Sequence, residues 1–192
     1  MSKLFRWYGV ALLVTGISAC EQEPLAVVTA EPATILASAA ETQGAALAEI
    51  RAATARYHDI EAALADGYVE DTPCIFNAAA GGRGFIYPNR SRFDGVFDPT
   101  QPELLFYEPM KNGQLRLVGV GFVVVSAPWD AVNSGPPMLG NQAFIDRRTP
   151  PFGPPFPNYA LFAWVWKHNP SGMYEQYNPQ VSCEFTEDIE ER

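Results

Sequence analysis

The two histidines of this chain, His58 and His168, are its residues best suited to hold a metal ion or move a proton. Joined by a carboxylate such as Asp59, Glu61 or Asp71, they would form the imidazole and carboxylate set that suits zinc, iron or copper. Their spacing matches no ligand motif, and His58 sits among helix residues expected at the surface. The expectation is therefore one solvated helix histidine and one turn histidine. A Ser/His/Asp set can be assembled from any chain with two histidines, and nothing here fixes which serine would attack. The pairs Glu70-Asp71 and Glu187-Asp188 fall at a helix exit and in a polar tail, where carboxylates are solvated rather than arranged as an acid-base dyad. Gly81-Gly82-Arg83-Gly84 lacks the Lys-Ser/Thr of a phosphate loop, and no helix pattern follows it. A Gly-x-Ser-x-Gly elbow and a Cys-x-x-Cys pair are also missing. The sequence leans against catalysis and implies no cofactor.

Aromatic side chains are the remaining candidates. Phe162, Trp164 and Trp166 share one face of a strand by its period of two. Such a row can line a ligand pocket, but an apolar sheet face is more often core.

The elements that must position these groups follow from pattern. Leu47, Ile50, Tyr57, Ile60 and Leu64 form one apolar stripe, which predicts a single long helix over residues 41–66 that Gly67 ends. Its opposite face carries Glu49, Arg56, Asp59 and Glu61. Leu104 to Tyr107 and Leu115 to Val125 flank Pro109-Met110-Lys111-Asn112-Gly113, which predicts a hairpin closing at Asn112-Gly113. A third strand is expected from Tyr159 to Lys167. The four residues Gly81 to Gly84 and the pairs Asn169-Pro170 and Asn178-Pro179 mark loops. Residues 126–158 hold eight of the seventeen prolines and read as one long connection, with Trp129, Phe144, Phe152 and Phe156 to pack it against the sheet. The expected fold class is α+β: one long N-terminal helix packed on a small, mostly antiparallel sheet with a long proline-rich loop.

The first nineteen residues have a short basic start at Lys3 and Arg6, an apolar run from Trp7 to Ile17, and then Ser18-Ala19 before Cys20, the order of a secretory signal. As a helix, Trp7 to Ala19 would cover roughly 20 Å, short of a hydrocarbon core of about 30 Å. Ile17-Ser18-Ala19-Cys20 resembles a lipoprotein box, in which the cysteine is acylated and becomes the new N-terminus. Glu21 resembles an outer-membrane sorting residue. The expected organisation is a signal segment over 1–19, a tether over 20–40, one globular domain over 41–185 and a polar tail over 186–192. Cleavage leaves eleven basic residues against twenty-two acids, taking the net charge from -9 to -11. Such a chain has no reason to approach nucleic acid or anionic lipid surfaces. Cys74 and Cys183 then remain in an oxidising compartment, where a structural disulfide is expected.

From about Ala53 to Cys183 the motifs also resemble an uncharacterised family of exported bacterial proteins. They are Tyr57-His58 with Ala65-Asp66-Gly67-Tyr68, then Leu115 to Val120. The block closes with Trp164 and Trp166, Asn169-Pro170 with Gly172, and Asn178-Pro179 with Val181 and Cys183. The resemblance implies export and no particular activity. It also implies that relatives carry a His/Glu/His metal site at the positions occupied here by Ile86, Gly121 and Phe162. None of these three side chains can donate to a metal, so the expectation is a lost metal and an apolar core or dry pocket above Gly119 and Gly121.

The reading is thus a non-catalytic envelope lipoprotein, lipid-anchored and facing the periplasm, that binds a small apolar or aromatic ligand or an envelope protein through the sheet face and the proline-rich loop. The alternative is a metal-dependent enzyme or metal carrier built on His58, His168 and nearby acids.

Overall fold

In the computed structural model, which describes residues 32–149 and 154–186 and the side chains from residue 41 onward, six antiparallel strands curl into a half-barrel. They are β1 (Ile75–Asn77), β2 (Gly81–Pro88), β3 (Leu104–Pro109), β4 (Leu115–Val125), β8 (Asn158–Ala163) and β7 (Ile145–Arg147), in that spatial order. A separate two-stranded ribbon pairs β5 (Met138–Leu139) with β6 (Gln142–Ala143). Cys20 and residues 187–192 lie outside the described residues, as does most of the expected tether.

This architecture corrects the expected fold class. The sheet dominates, and the single helix expected over 41–66 does not exist as one element. Helix α1 (Pro32–Thr54) begins inside the stretch expected to be tether and stops at Thr54. A 3-10 turn follows over Ala55–His58, and α2 (Ile60–Ala65) then starts afresh. The break sits at Asp59, which adopts extended backbone (φ -88°, ψ 114°) and accepts from the Glu61 amide as an N-cap. Restarting the helix turns its apolar stripe: Ala63 is buried in place of Leu64, which is 42 % exposed. Gly67 terminates α2 at φ 90°, with the Tyr68 amide donating to Ala63 and the Gly67 amide to Leu64, a Schellman closure.

The β3–β4 hairpin closes at Asn112-Gly113, where Gly113 takes φ 70° and its amide donates to Met110. The long proline-rich connection is not one loop. It contains α3 (Ser126–Asp130), the β5–β6 ribbon and β7, which pairs with β8 and extends the sheet. Gly81 to Gly84 is likewise the start of β2 and not a loop.

Two cores fill the two faces. The larger gathers Ile50, Tyr57, Tyr68, Phe85, Leu105, Tyr107, Phe122 and Leu161 beneath the helical segments. The smaller unites Phe106, Val118, Phe162, Trp164 and Val181, with Ile86, Leu104 and Met173 packed against it. Glu108, only 5 % exposed, ties the C-terminal segment to the sheet: it accepts from Arg116, from Lys167 Nζ (2.7 and 2.8 Å) and from the Ser182 amide (3.0 Å). Cys74 and Cys183 form a disulfide, with Cα atoms 5.8 Å apart.

Candidate functional site

The smaller core holds most of the residues singled out from sequence. Gly121 on β4 and Phe162 on β8 are direct cross-strand partners. Ile86 on β2 pairs with Phe106 on β3, which pairs in turn with Gly119 on β4. Ile86 therefore lies two strands from Gly119, roughly 10 Å away at the usual strand spacing, and Gly121 is two residues further along the same face. Of the two expectations for the space above the glycines, core is what forms. A Cβ at Gly121 would sit 2.8 Å from the Phe106 ring and 3.0 Å from Leu104, so these side chains already occupy the volume.

The expected shared face of Phe162, Trp164 and Trp166 is only partly formed. Phe162 and Trp164 both pack on Phe106, with ring centroids 5.7 and 5.8 Å away. Trp166 instead packs against the larger core, where its indole donates to Thr54 Oγ1 and its ring meets His58 edge-on at 4.4 Å. The reason is that β8 ends at Ala163, and the bend that follows discards the period of two. His58 and His168 are exposed. Among the described residues, no three His, Cys, Asp or Glu side chains gather as a metal-holding group. Tyr87 donates to Glu70, and Arg90 pairs with Asp71.

Sequence reasoning missed two arginines. The Arg83 guanidinium lies 4.9 Å from the Phe162 ring centroid and 4.4 Å from that of Tyr177. The Arg147 guanidinium lies 5.4 Å from the same Phe162 ring. Arg83 is placed by a bulge: Ile75 pairs with Gly84 and Phe76 with Gly82, leaving Arg83 as the extra residue between them. Bulges re-aim side chains. Gly84 makes this one possible, because it takes φ 77° and a Cβ there would lie 2.0 Å from the Tyr107 carbonyl oxygen. By simple alternation Arg83 would share the face of Phe85, which belongs to the larger core; it reaches Phe162 instead. Arg147 arrives from β7, opposite Asn158.

Burial pulls the pKa of both arginines down, and the charge of Arg147 lowers that of Arg83 further, while Tyr177 acts in the opposite direction on each. A guanidinium does not give up its proton in a protein, so the arrangement keeps two partly desolvated positive charges close together. Arg83 is oriented by Gln176, whose carbonyl oxygen accepts from Nε (3.0 Å) and whose side-chain oxygen accepts from Nη2 (2.9 Å). Among the described residues no carboxylate pairs with Arg83, and its Nη1 donates to none of them. Gln176 also borders a groove of about 370 Å³ lined by Gln142, Ile145, Leu161 and residues 172–175. That volume lies in the range of small-molecule sites. Phe162 itself is only 4 % exposed, with Phe106 and the two arginines against its ring, so the open space of this region is the groove beyond Gln176.

Compared with family models, with curated proteins and with solved structures, the chain finds no match. The likeness to exported bacterial proteins therefore rests on its motifs alone.

Proposed function

We propose that this protein is a non-catalytic binding module of the bacterial cell envelope, acylated at Cys20, whose ligand site is the groove bordered by Gln176. The observation that carries the binding part is the groove of about 370 Å³ beside Gln176, the residue that holds the Arg83 guanidinium through two hydrogen bonds. A concave surface of that size, lined by apolar side chains and a few polar ones, is the form that small-molecule sites take, which favours a binding role.

The envelope part is supported by the order of residues 1–20 and by the disulfide, a bond that persists in oxidising compartments. Several acyl chains on one residue would anchor the protein stably. Among the described residues no helix is long and apolar enough to cross a membrane. The test is radiolabelled palmitate incorporation with fractionation of cells expressing the full chain or its Cys20→Ser variant. The reading expects label and membrane association in the parent and loss of both in the variant. Unlabelled parent protein in the soluble cell interior would overturn it.

A further inference from the structure

Resting on the reading of the groove as a ligand site, we infer that its ligand is a small organic cation, an ammonium group joined to an apolar body. Three features of the groove point to this chemistry. First, Glu175 is the one charged side chain among the described residues that line it, and among the described residues no cation pairs with its carboxylate. Second, the chain holds that carboxylate at the groove. The Glu175 amide donates to the Gly172 carbonyl (3.3 Å), and a Cβ at Gly172 would lie 3.1 Å from Glu175 Cγ and 3.9 Å from its Oε1. The side chain thus folds back over Gly172, itself part of the groove wall. The stretch is fixed to the end of β8 by the Trp164 indole, which donates to the Glu175 carbonyl at 2.6 Å, and by the Trp164 amide, which donates to the Met173 carbonyl at 3.0 Å. Third, the remaining walls are apolar or neutral. Ile145, 36 % exposed, Met173 and Tyr174 offer surface for a hydrocarbon body, with a polarizable thioether among them. Gln142 commits its amide nitrogen to the Ala143 carbonyl (3.0 Å), and its side-chain oxygen remains as a second acceptor for an ammonium.

The same features disfavour the other charge types. Calcium takes about six to eight oxygen ligands, and among the described residues no three His, Cys, Asp or Glu side chains gather as a metal-holding group. An anion would meet the Glu175 carboxylate directly. Arg83 does not line the groove: both Gln176 oxygens hold its guanidinium between the Phe162 and Tyr177 rings. The net charge of -9 over the chain favours the approach of cations and opposes that of anions.

The experiment is titration of the full-length chain with benzylammonium, with its neutral counterpart benzyl alcohol, with benzoate and with calcium, all at equal ionic strength, followed by calorimetry and by NMR of labelled isoleucine and methionine methyl groups. Benzylammonium is expected to bind saturably, to shift the Ile145 and Met173 signals, and to weaken as salt is raised. Benzyl alcohol and benzoate are each expected to bind at least fivefold more weakly, and calcium to leave these signals in place. Glu175 is exposed, so Glu175→Gln keeps the fold; it should reduce benzylammonium affinity at least fivefold and leave that of benzyl alcohol unchanged. Glu175→Asp, which keeps the charge on a shorter stem, should recover part of the loss. Equal binding of benzylammonium and benzyl alcohol at the Ile145 and Met173 signals, unchanged by Glu175→Gln, would overturn the cation inference and leave the groove standing as a site. Calcium displacing benzylammonium on equal terms would overturn the requirement for an apolar body. Shifts confined to other parts of the molecule would overturn both the inference and the site.

Discussion

Removing the charge of Glu103 should make this protein more stable at alkaline pH, and the size of the effect follows from where the side chain lies. Glu103 is 3 % exposed, accepts from the Val123 amide at 2.9 Å, and faces the opposed charges of Arg92 and Asp94. Burial outweighs the hydrogen bonds and pushes its carboxyl up from 4.5 to about 8. Between those two values the folded protein keeps a proton that the unfolded chain has released, so stability falls as pH rises through this window and levels off above it. At 1.36 kcal/mol for each pH unit, the loss is about 3 kcal/mol by pH 7 and on the order of 5 kcal/mol by pH 8. Glu103→Gln keeps an oxygen for the Val123 amide and has nothing to ionise. Urea unfolding of parent and variant, followed by tryptophan fluorescence at pH 5, 7 and 9, reads the difference directly. The two should be close at pH 5, with the variant ahead by several kcal/mol at pH 9. Parallel curves across the whole range would refute the claim that Glu103 enters the folded state neutral.

Glu108 is set the opposite way. Lys167, Arg116 and the Ser182 amide overcome the penalty of burial and hold its carboxyl below the usual range. Its contribution is therefore present above the ordinary carboxylate range and lost as pH falls through the lowered value. Glu108→Ala leaves Lys167, whose side chain is 17 % exposed, without this partner and should cost about 3 kcal/mol or more, read as a fall in Tm. Cys74→Ser with Cys183→Ser opens a crosslink between residues 109 apart and should cost up to about 5 kcal/mol in the chain-entropy model, with the same loss in the parent on reduction. Gly84→Ala forces a left-handed residue and a clash with the Tyr107 carbonyl, so it should destabilise by about 3 kcal/mol and shift the Arg83 signals in NMR spectra.

What could be read from sequence was what local pattern determines. The β3–β4 hairpin follows from two apolar runs around Asn112-Gly113, and the α2 terminus from Gly67. The helix break was harder to see because the stripe from Leu47 to Leu64 is continuous on paper. Its one local signal is Asp59 ahead of Ile60-Glu61, an N-cap placed inside an apparent helix. Strand β7 is only three residues long and sits between proline clusters, so its identity comes from its partner β8 and not from its own pattern. Trp166 leaves the face of Phe162 because the strand stops, which periodicity does not report.

The candidate site was half visible. Phe162 and Ile86 were singled out, but for an apolar role, because nothing in their neighbourhood on the chain suggests charge. Arg83 was read as part of a glycine loop. Isolated glycines within a strand signal a bulge, and a bulge moves a side chain across the sheet, so the clue to Arg83 lies in the glycines that flank it. Arg147 reaches the same ring from a strand 64 positions later, and such a meeting is a property of topology alone.

The central claim is that the groove beside Gln176 holds a ligand. Native mass spectrometry of the full chain, purified gently from cells that express it, tests this most directly when the parent is set beside Ile145→Trp, which fills part of the groove. The account predicts a small molecule bound one to one in the parent and absent from the folded variant. A parent whose mass is that of the covalent, disulfide-bonded chain alone would contradict it.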